Sequence, residues 1–262
     1  MMPVERAQTY RTFFSFAGLH AVAAIAFSVL IFTTEYQLLG VNAWVKPLKF
    51  ALTGFTYLGT LAIFARQLPD SLSAEKSRRY AWWISLMIFG ETFFVALQSA
   101  RGVTSHFNQK AAVDGIVYSV MGVMIIINTV YFVLMMRPFF SGAQKIQGAY
   151  LTGIRWAAML FLFGSLVGGI MSGLNRHTIG AVDGGPGLPL VNFSTLGGDL
   201  RVAHFLGIHA LQILPLAGWL LSRGSLPAGA RRNMMISFGV GCALLLTILF
   251  VHALKGKPLL AG

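Results

Sequence analysis

Residues 115–136 read GIVYSVMGVMIIINTVYFVLMM, an apolar run without a single charged side chain. The hydrocarbon core of a bilayer is about 30 Å thick and takes about 20 such residues to cross as a helix. With this run read as a membrane helix, the rest of the chain falls into the same pattern. Residues 13–33 are again apolar and uncharged, and runs at 44–65, 80–100, 156–174, 202–222 and 233–254 bring the total to seven. The first run continues to Phe32, longer than the apolar part of a signal peptide, so it reads as a span. The expected fold is all-α: one polytopic domain over residues 1–262, a bundle of seven transmembrane helices.

Composition agrees. The 262 residues are 56% hydrophobic and 11% charged, with a mean hydropathy of +0.70. Soluble domains carry roughly 25% charged residues. The shortfall argues against an ordinary soluble enzyme, a disordered tail and a nucleic-acid-binding module. The net charge of +12 then reads as membrane orientation rather than as affinity for nucleic acid. Seven spans put the termini on opposite faces. The face of the N-terminus holds 12 basic residues, including Arg6, the Arg78-Arg79 pair and the Arg231-Arg232 pair, against 8 on the other. By the positive-inside rule the N-terminus is expected in the cytoplasm and the C-terminus outside. The expected location is a bacterial inner membrane, with the site facing the periplasm. The one cysteine, Cys242, excludes an internal disulfide and a Cys-based zinc site.

The loops of the two faces differ in kind. Inner loops are short and plainly charged. Outer loops carry Lys46 and Lys49, then Arg101 and His106, and finally a Gly- and Pro-rich stretch at 175–201 with His177, Asp183, Asp199 and Arg201. Loops longer than about 15 residues tend to be functional or disordered. This one has few charges and many apolar residues, which favours a packed lid or a re-entrant segment.

Ionisable groups inside a bilayer are costly and usually line a site or pair with one another. Glu91 and Gln98 lie two turns apart on one face of the third run, and Arg101 extends that line. Asp114, Tyr118, Ile125 and Asn128 form a stripe on the fourth, and Arg201, His204, Ile208 and Gln212 another on the sixth. At 1.5 Å per residue, His20 lies roughly 11 Å deep and His209 roughly 15 Å, in a layer with Glu91. His106, His177, His204 and His252 fall in an outer layer. His204 and His209 are five apart, about 140° around a helix, so they do not converge on one ion. The chain has no His-x-x-x-His pair of the zinc-protease kind.

Two chemistries follow as expectations. In the first, a b-type haem is ligated by His20, His209, His204 or His252, with Lys46, Lys49, Arg101 and Arg201 near its propionates and a quinone as partner. In the second, His106, His177, His204, His252 and Asp183 hold iron, copper or zinc, and the same cations bind a small anionic or lipid-like substrate. Glu91, Arg101, Asp199, Arg201, Lys46 and Lys49 are the catalytic candidates, with Glu91 handling protons. Both make the chain a membrane oxidoreductase or metalloenzyme. The alternatives are a transporter or receptor for an anionic solute, or a structural membrane protein.

Overall fold

A computed structural model describes residues 4–141 and 145–260; the side chains of residues 4–6, Arg6 among them, lie outside the description. Its helices are α1 (Val4–Thr33), α2 (Val45–Ala65), α3 (Ala74–Ala100), α4 (Ala112–Met136), α5 (Gly148–Leu174), α6 (Arg201–Ser222) and α7 (Ala228–Leu254). Among the described residues these seven are long and apolar enough to cross a membrane. Leu19, Val22, Ile25, Val29 and Phe32 of α1 are exposed, as are Leu244, Leu245 and Ile248 of α7. Apolar surface on this scale belongs against lipid. The protein is integral to a membrane.

Several helices start earlier than the apolar runs suggest. α3 begins at Ala74, where Ser73 caps it by accepting from the Lys76 amide at 3.4 Å. Its first turns carry Glu75, Lys76, Arg78 and Arg79, so hydropathy alone misses them. Backbone hydrogen bonding, not hydropathy, sets where a helix starts.

The chain divides into two compact units. Residues 1–145 hold α1–α4, and residues 146–262 hold α5–α7. In the first unit α1 packs on α2 and α3, and α3 on α4. One end of this unit is tied by Thr9 to Ser77 (2.9 Å), by Arg78 donating to Gln8 (2.9 Å) and by Arg66 over the Tyr10 ring. At the other end a two-residue hairpin, β1 (Gln37–Leu38) against β2 (Val41–Asn42), links α1 to α2. Asn42 fastens it: its amide donates to the Thr34 carbonyl at 2.7 Å, and its oxygen accepts from the Trp44 amide at 3.0 Å. Tyr36 of the same hairpin donates to the Gly102 carbonyl at 3.1 Å.

In the second unit α5 and α6 run antiparallel in close contact along their length. Small residues permit it. A Cβ on Gly207 would strike the backbone of Gly164, and one on Gly153 the backbone of Leu214 and Pro215. In lipid, helices gain little from apolar burial, so backbone proximity and packing supply the association. α7 lies against both helices. Asn175, in the left-handed conformation at φ 52°, ends α5 and turns the chain into the 175–200 loop. There β3 (Thr178–Ile179) pairs with β4 (Gly198–Asp199).

This crossing makes a direct prediction. Gly207→Leu should separate α5 from α6 and lower stability by about 1–3 kcal/mol or more, as overpacking does. Gly169→Ala, where a Cβ meets nothing within 4 Å, should be neutral. Thermal unfolding in detergent would compare them, and equal melting temperatures would contradict the packing described.

Candidate functional site

The four-helix unit has a polar interior built mainly on α3. Its buried residues include Ser85, Glu91, Thr92, Gln98 and Ser99, along with Ile84 and Val95. His20 of α1 enters beside them, fully buried. Its Nδ1 donates to the Phe16 carbonyl at 2.8 Å. A carbonyl only accepts, so Nδ1 carries the proton and Nε2 of the neutral ring carries a lone pair. α2 makes room for the ring at Gly54, where a Cβ would collide with it. Phe89 meets it edge-on at 5.9 Å. Nε2 makes no hydrogen bond among the described residues. Nor do Ser85 Oγ and Glu91 Oε1: all three atoms are buried without a hydrogen-bond partner among the described residues. The charge of Lys46, at the start of α2, reaches Glu91. Lys49, one turn on, is exposed.

Toward the hairpin end of this unit the polar groups are fully engaged. Asp114 Oδ1 accepts from Arg101 at 2.6 Å and from Gln98 at 3.1 Å, and Arg101 also donates to Gln98. The Asp114 side chain is only 5% exposed and the Arg101 side chain 39%, so the guanidinium closes over a sunken carboxylate. Deeper in, Tyr57 of α2 donates to Asn128 of α4 at 3.3 Å. The buried seam of α4 runs Asp114, Met121, Asn128, Met135. Ile125, expected on the polar stripe, faces outward instead. A seven-residue step fits helices that cross with a slight left-handed twist better than the straight-helix stripe does. His106 shares a hydrogen bond with Ser105 at 3.1 Å and sits among Phe50, Phe107 and Tyr118.

The histidines of the second unit do different work. His204 Nδ1 donates to the Gly164 carbonyl of α5 at 2.8 Å, with Gly168 beneath the ring. His209 Nδ1 donates to Gln212 at 3.3 Å and lies 4.3 Å from the Phe205 ring. His252 Nε2 donates to the Pro258 carbonyl at 3.0 Å, holding the tail after α7. The buried row of α6 is Ala203, Gly207, Leu211, Leu214 and Gly218. The expected stripe of Arg201, His204, Ile208 and Gln212 runs only part-buried beside that row, because the close crossing with α5 needs small side chains.

The 175–200 loop is organised by carboxylates. Asp183 accepts from the His177 and Thr178 amides at 3.2 and 2.9 Å. Asp199, its side chain fully buried, accepts from Arg201 Nε, from Arg201 Nη2 at 2.6 Å and from the Ser194 amide at 2.8 Å. Arg201 also donates to the Asn192 carbonyl at 2.5 Å. His177 Nδ1 stands 3.4 Å from Asp183 and 3.8 Å from Asp199. Gly198 lies flat on the end of α7, where a Cβ would strike the Ala253 carbonyl. The loop is thus packed, and Asp199 with Arg201 is its latch.

The candidates therefore separate. Within the second unit His177 and Asp183 meet, while His204 and His252 are each tied to a backbone carbonyl. Among the described residues no group of three or more His, Cys, Asp or Glu side chains is placed to hold a metal ion. The residues do not fit the expected metal centre. Arg101 and Arg201, expected to hold an anion, are each bound to a buried aspartate. Ser85 was not singled out from the sequence; one serine in an apolar run gives no signal by itself.

Burial alone would lift the Asp199 carboxyl, but the hydrogen bonds and charge of Arg201, with the Ser194 amide and His177, hold it below the ordinary carboxylate value. A carboxyl held low in the fold contributes stability that is present above its unfolded value of about 4 and lost as pH falls through the folded value. The loop should accordingly resist proteolysis at neutral pH and loosen only below about pH 4. Asp199→Asn should open it at neutral pH, at a cost of about 3–5 kcal/mol for a broken buried pair. Limited proteolysis across pH, with mass spectrometry of the cuts, reads both; a loop cut equally fast in both proteins would refute the latch. Comparison with protein-family models, curated proteins and solved structures gives no match to this chain, so its geometry carries the functional reading alone.

Proposed function

We propose that this integral membrane protein is a proton-coupled transporter of a small anionic solute, with Glu91 as the coupling carboxyl. The observation that carries the reading is the buried, unpartnered Oε1 of Glu91 inside the four-helix unit. Carboxyls within membrane helices are rare and costly, and proton relays and solute paths are among the sites they mark. The two aspartates at helix ends are locked to arginines, whereas Glu91 keeps an oxygen uncommitted. Lys46, whose charge reaches Glu91, supplies the countercharge for an anion. Orientation follows the basic loops, with the N-terminus in the cytoplasm of a bacterial cell and the hairpin end of the four-helix unit toward the periplasm.

One observation favours a second reading, a haem-linked membrane oxidoreductase. The His20 tautomer leaves a bare Nε2, as an axial ligand requires, and its Nδ1 is oriented by a backbone carbonyl as ligating histidines are. Within that unit the other histidine, His106, lies on the loop after α3, so His20 would be the histidine ligand this unit supplies. A bound haem would supply one-electron chemistry. Its Soret band in freshly purified protein, lost in His20→Ala, would favour this reading over transport.

The transport reading is tested in liposomes loaded with pyranine. Wild-type protein should dissipate an imposed pH difference, faster with one of inorganic phosphate, succinate or citrate on the acid side. Glu91→Gln should lower that proton flux by about 100-fold, the usual scale for losing a positioned proton carrier. Flux unchanged in Glu91→Gln would end the proposal.

A further inference from the structure

We infer that His20 and Ser85 complete, with Glu91, a hydrated site that shares one proton between imidazole and carboxyl within the four-helix unit. This rests on the reading of Glu91 as a proton-handling group and names its partners. Three buried side-chain atoms of the described residues lack a hydrogen-bond partner, and all three belong to this unit: His20 Nε2, Ser85 Oγ and Glu91 Oε1. His20 and Ser85 are fully buried and Glu91 is 2% exposed. Buried polar atoms are nearly always hydrogen-bonded, to protein or to ordered water, so three orphans in one interior call for an occupant.

Their placement on α3 is specific. The His20 ring meets the Phe89 ring of α3 edge-on at 5.9 Å, which sets it against α3 near Ile88. Ser85 and Glu91 are three residues before and after it, about 4.5 Å along the axis on either side. Along the α3 axis the imidazole therefore falls between the levels of the hydroxyl and the carboxyl. Gly54 fixes that position, since any side chain there would drive the ring out.

The donor balance identifies the occupant as water. With Nδ1–H committed to Phe16, Nε2 can only accept, and an ionised Oε1 can only accept. A water molecule donates two hydrogen bonds and accepts the Ser85 hydroxyl, which satisfies all three. The same arrangement moves a proton. The protonated carboxyl gives its proton to the water oxygen as that water gives one of its own to Nε2, leaving carboxylate and imidazolium. No electron changes hands, and the water is regenerated. The charges facing this site are few. His20 is the one ionisable side chain of α1 within residues 13–33, Lys46 reaches Glu91 from α2, and Asp114 of α4 is held by Arg101.

Infrared difference spectra across pH steps, taken on the full chain in liposomes, test the inference. A carboxylic C=O band absent from Glu91→Gln identifies Glu91. In His20→Gln that band should titrate about one pH unit away from wild type, a tenfold change in proton affinity. Ser85→Ala, which removes a single hydroxyl, should shift the band's frequency through the lost hydrogen bond, and it decides the matter if His20→Gln does not fold. A band unchanged in frequency and titration in folded variants overturns the inference. So does displacement of the proton by sodium ions, which would make the site one for a metal cation. The two proposals fail separately. If Glu91→Gln conducts protons like wild type while the band still responds to His20, transport falls and the site stands; if flux needs Glu91 but the band ignores His20 and Ser85, the site falls and transport stands.

Discussion

Hydrocarbon offers no hydrogen bonds, so every polar group placed within the membrane must find its partner inside the protein. That constraint explains most side-chain contacts in this chain. Thr56, Thr60, Thr129 and Ser165 turn back on carbonyls of their own helices. Tyr57 and Asn128 satisfy each other across α2 and α4, and His204 reaches the backbone of α5. Against this background an unsatisfied buried atom is informative, because each costs about 1–3 kcal/mol. Ser85 illustrates the contrast. Its neighbours in kind bond to a carbonyl one turn back, while its own hydroxyl has no partner among the described residues.

The two units answer the constraint differently. In α5–α7 the solution is proximity: glycines bring two backbones together and leave little interior for polar side chains. In α1–α4 the helices stand around a row of polar residues on α3, and the interior is held by hydrogen bonds as well as by packing. A close-packed helix pair resists change, since helices in van der Waals contact have few alternative arrangements. An interior lined by ionisable groups can change its charge distribution without repacking. The proton chemistry proposed above draws on the α3 row for this reason.

The membrane fold was legible because it depends on a run of apolar residues, a property that one segment carries alone. The uncharged stretch from Gly115 to Met136 needs no tertiary context to be read. Helix starts such as Ala74 were not legible, since capping by Ser73 operates where hydropathy is already polar. For the site, Glu91, Gln98 and Arg101 could be placed on one face from spacing, and Asp114 with Asn128 on another, because residues seven apart keep a common face. What spacing could not give is pairing. Arg201 reads as a free cation in sequence, yet two residues earlier Asp199 supplies a buried partner through a turn that no periodicity encodes. The direction of a histidine ring is illegible for a similar reason: depth along a helix is additive in residue number, whereas the ring turns to whichever neighbour offers it a carbonyl.

The three interior acids separate by their partners more sharply than by their depth. Asp114 and Asp199 are each fixed by an arginine whose guanidinium supplies two or more donors to the carboxylate or its neighbours, an arrangement that holds one charge state and one geometry. Such a pair gives up little to a changing environment, and its natural use is to lock a loop or a helix end. Glu91 has no arginine on α3 within two turns, and one of its oxygens meets no donor. Lys46 acts on it as a charge, and the uncommitted oxygen leaves the carboxyl's direction unfixed. A group biased but not fixed can exist in two protonation states within the same packing. That capacity, rather than conspicuous acidity, is what a proton carrier needs, and in this chain it coincides with the imidazole nitrogen and the hydroxyl that also lack partners.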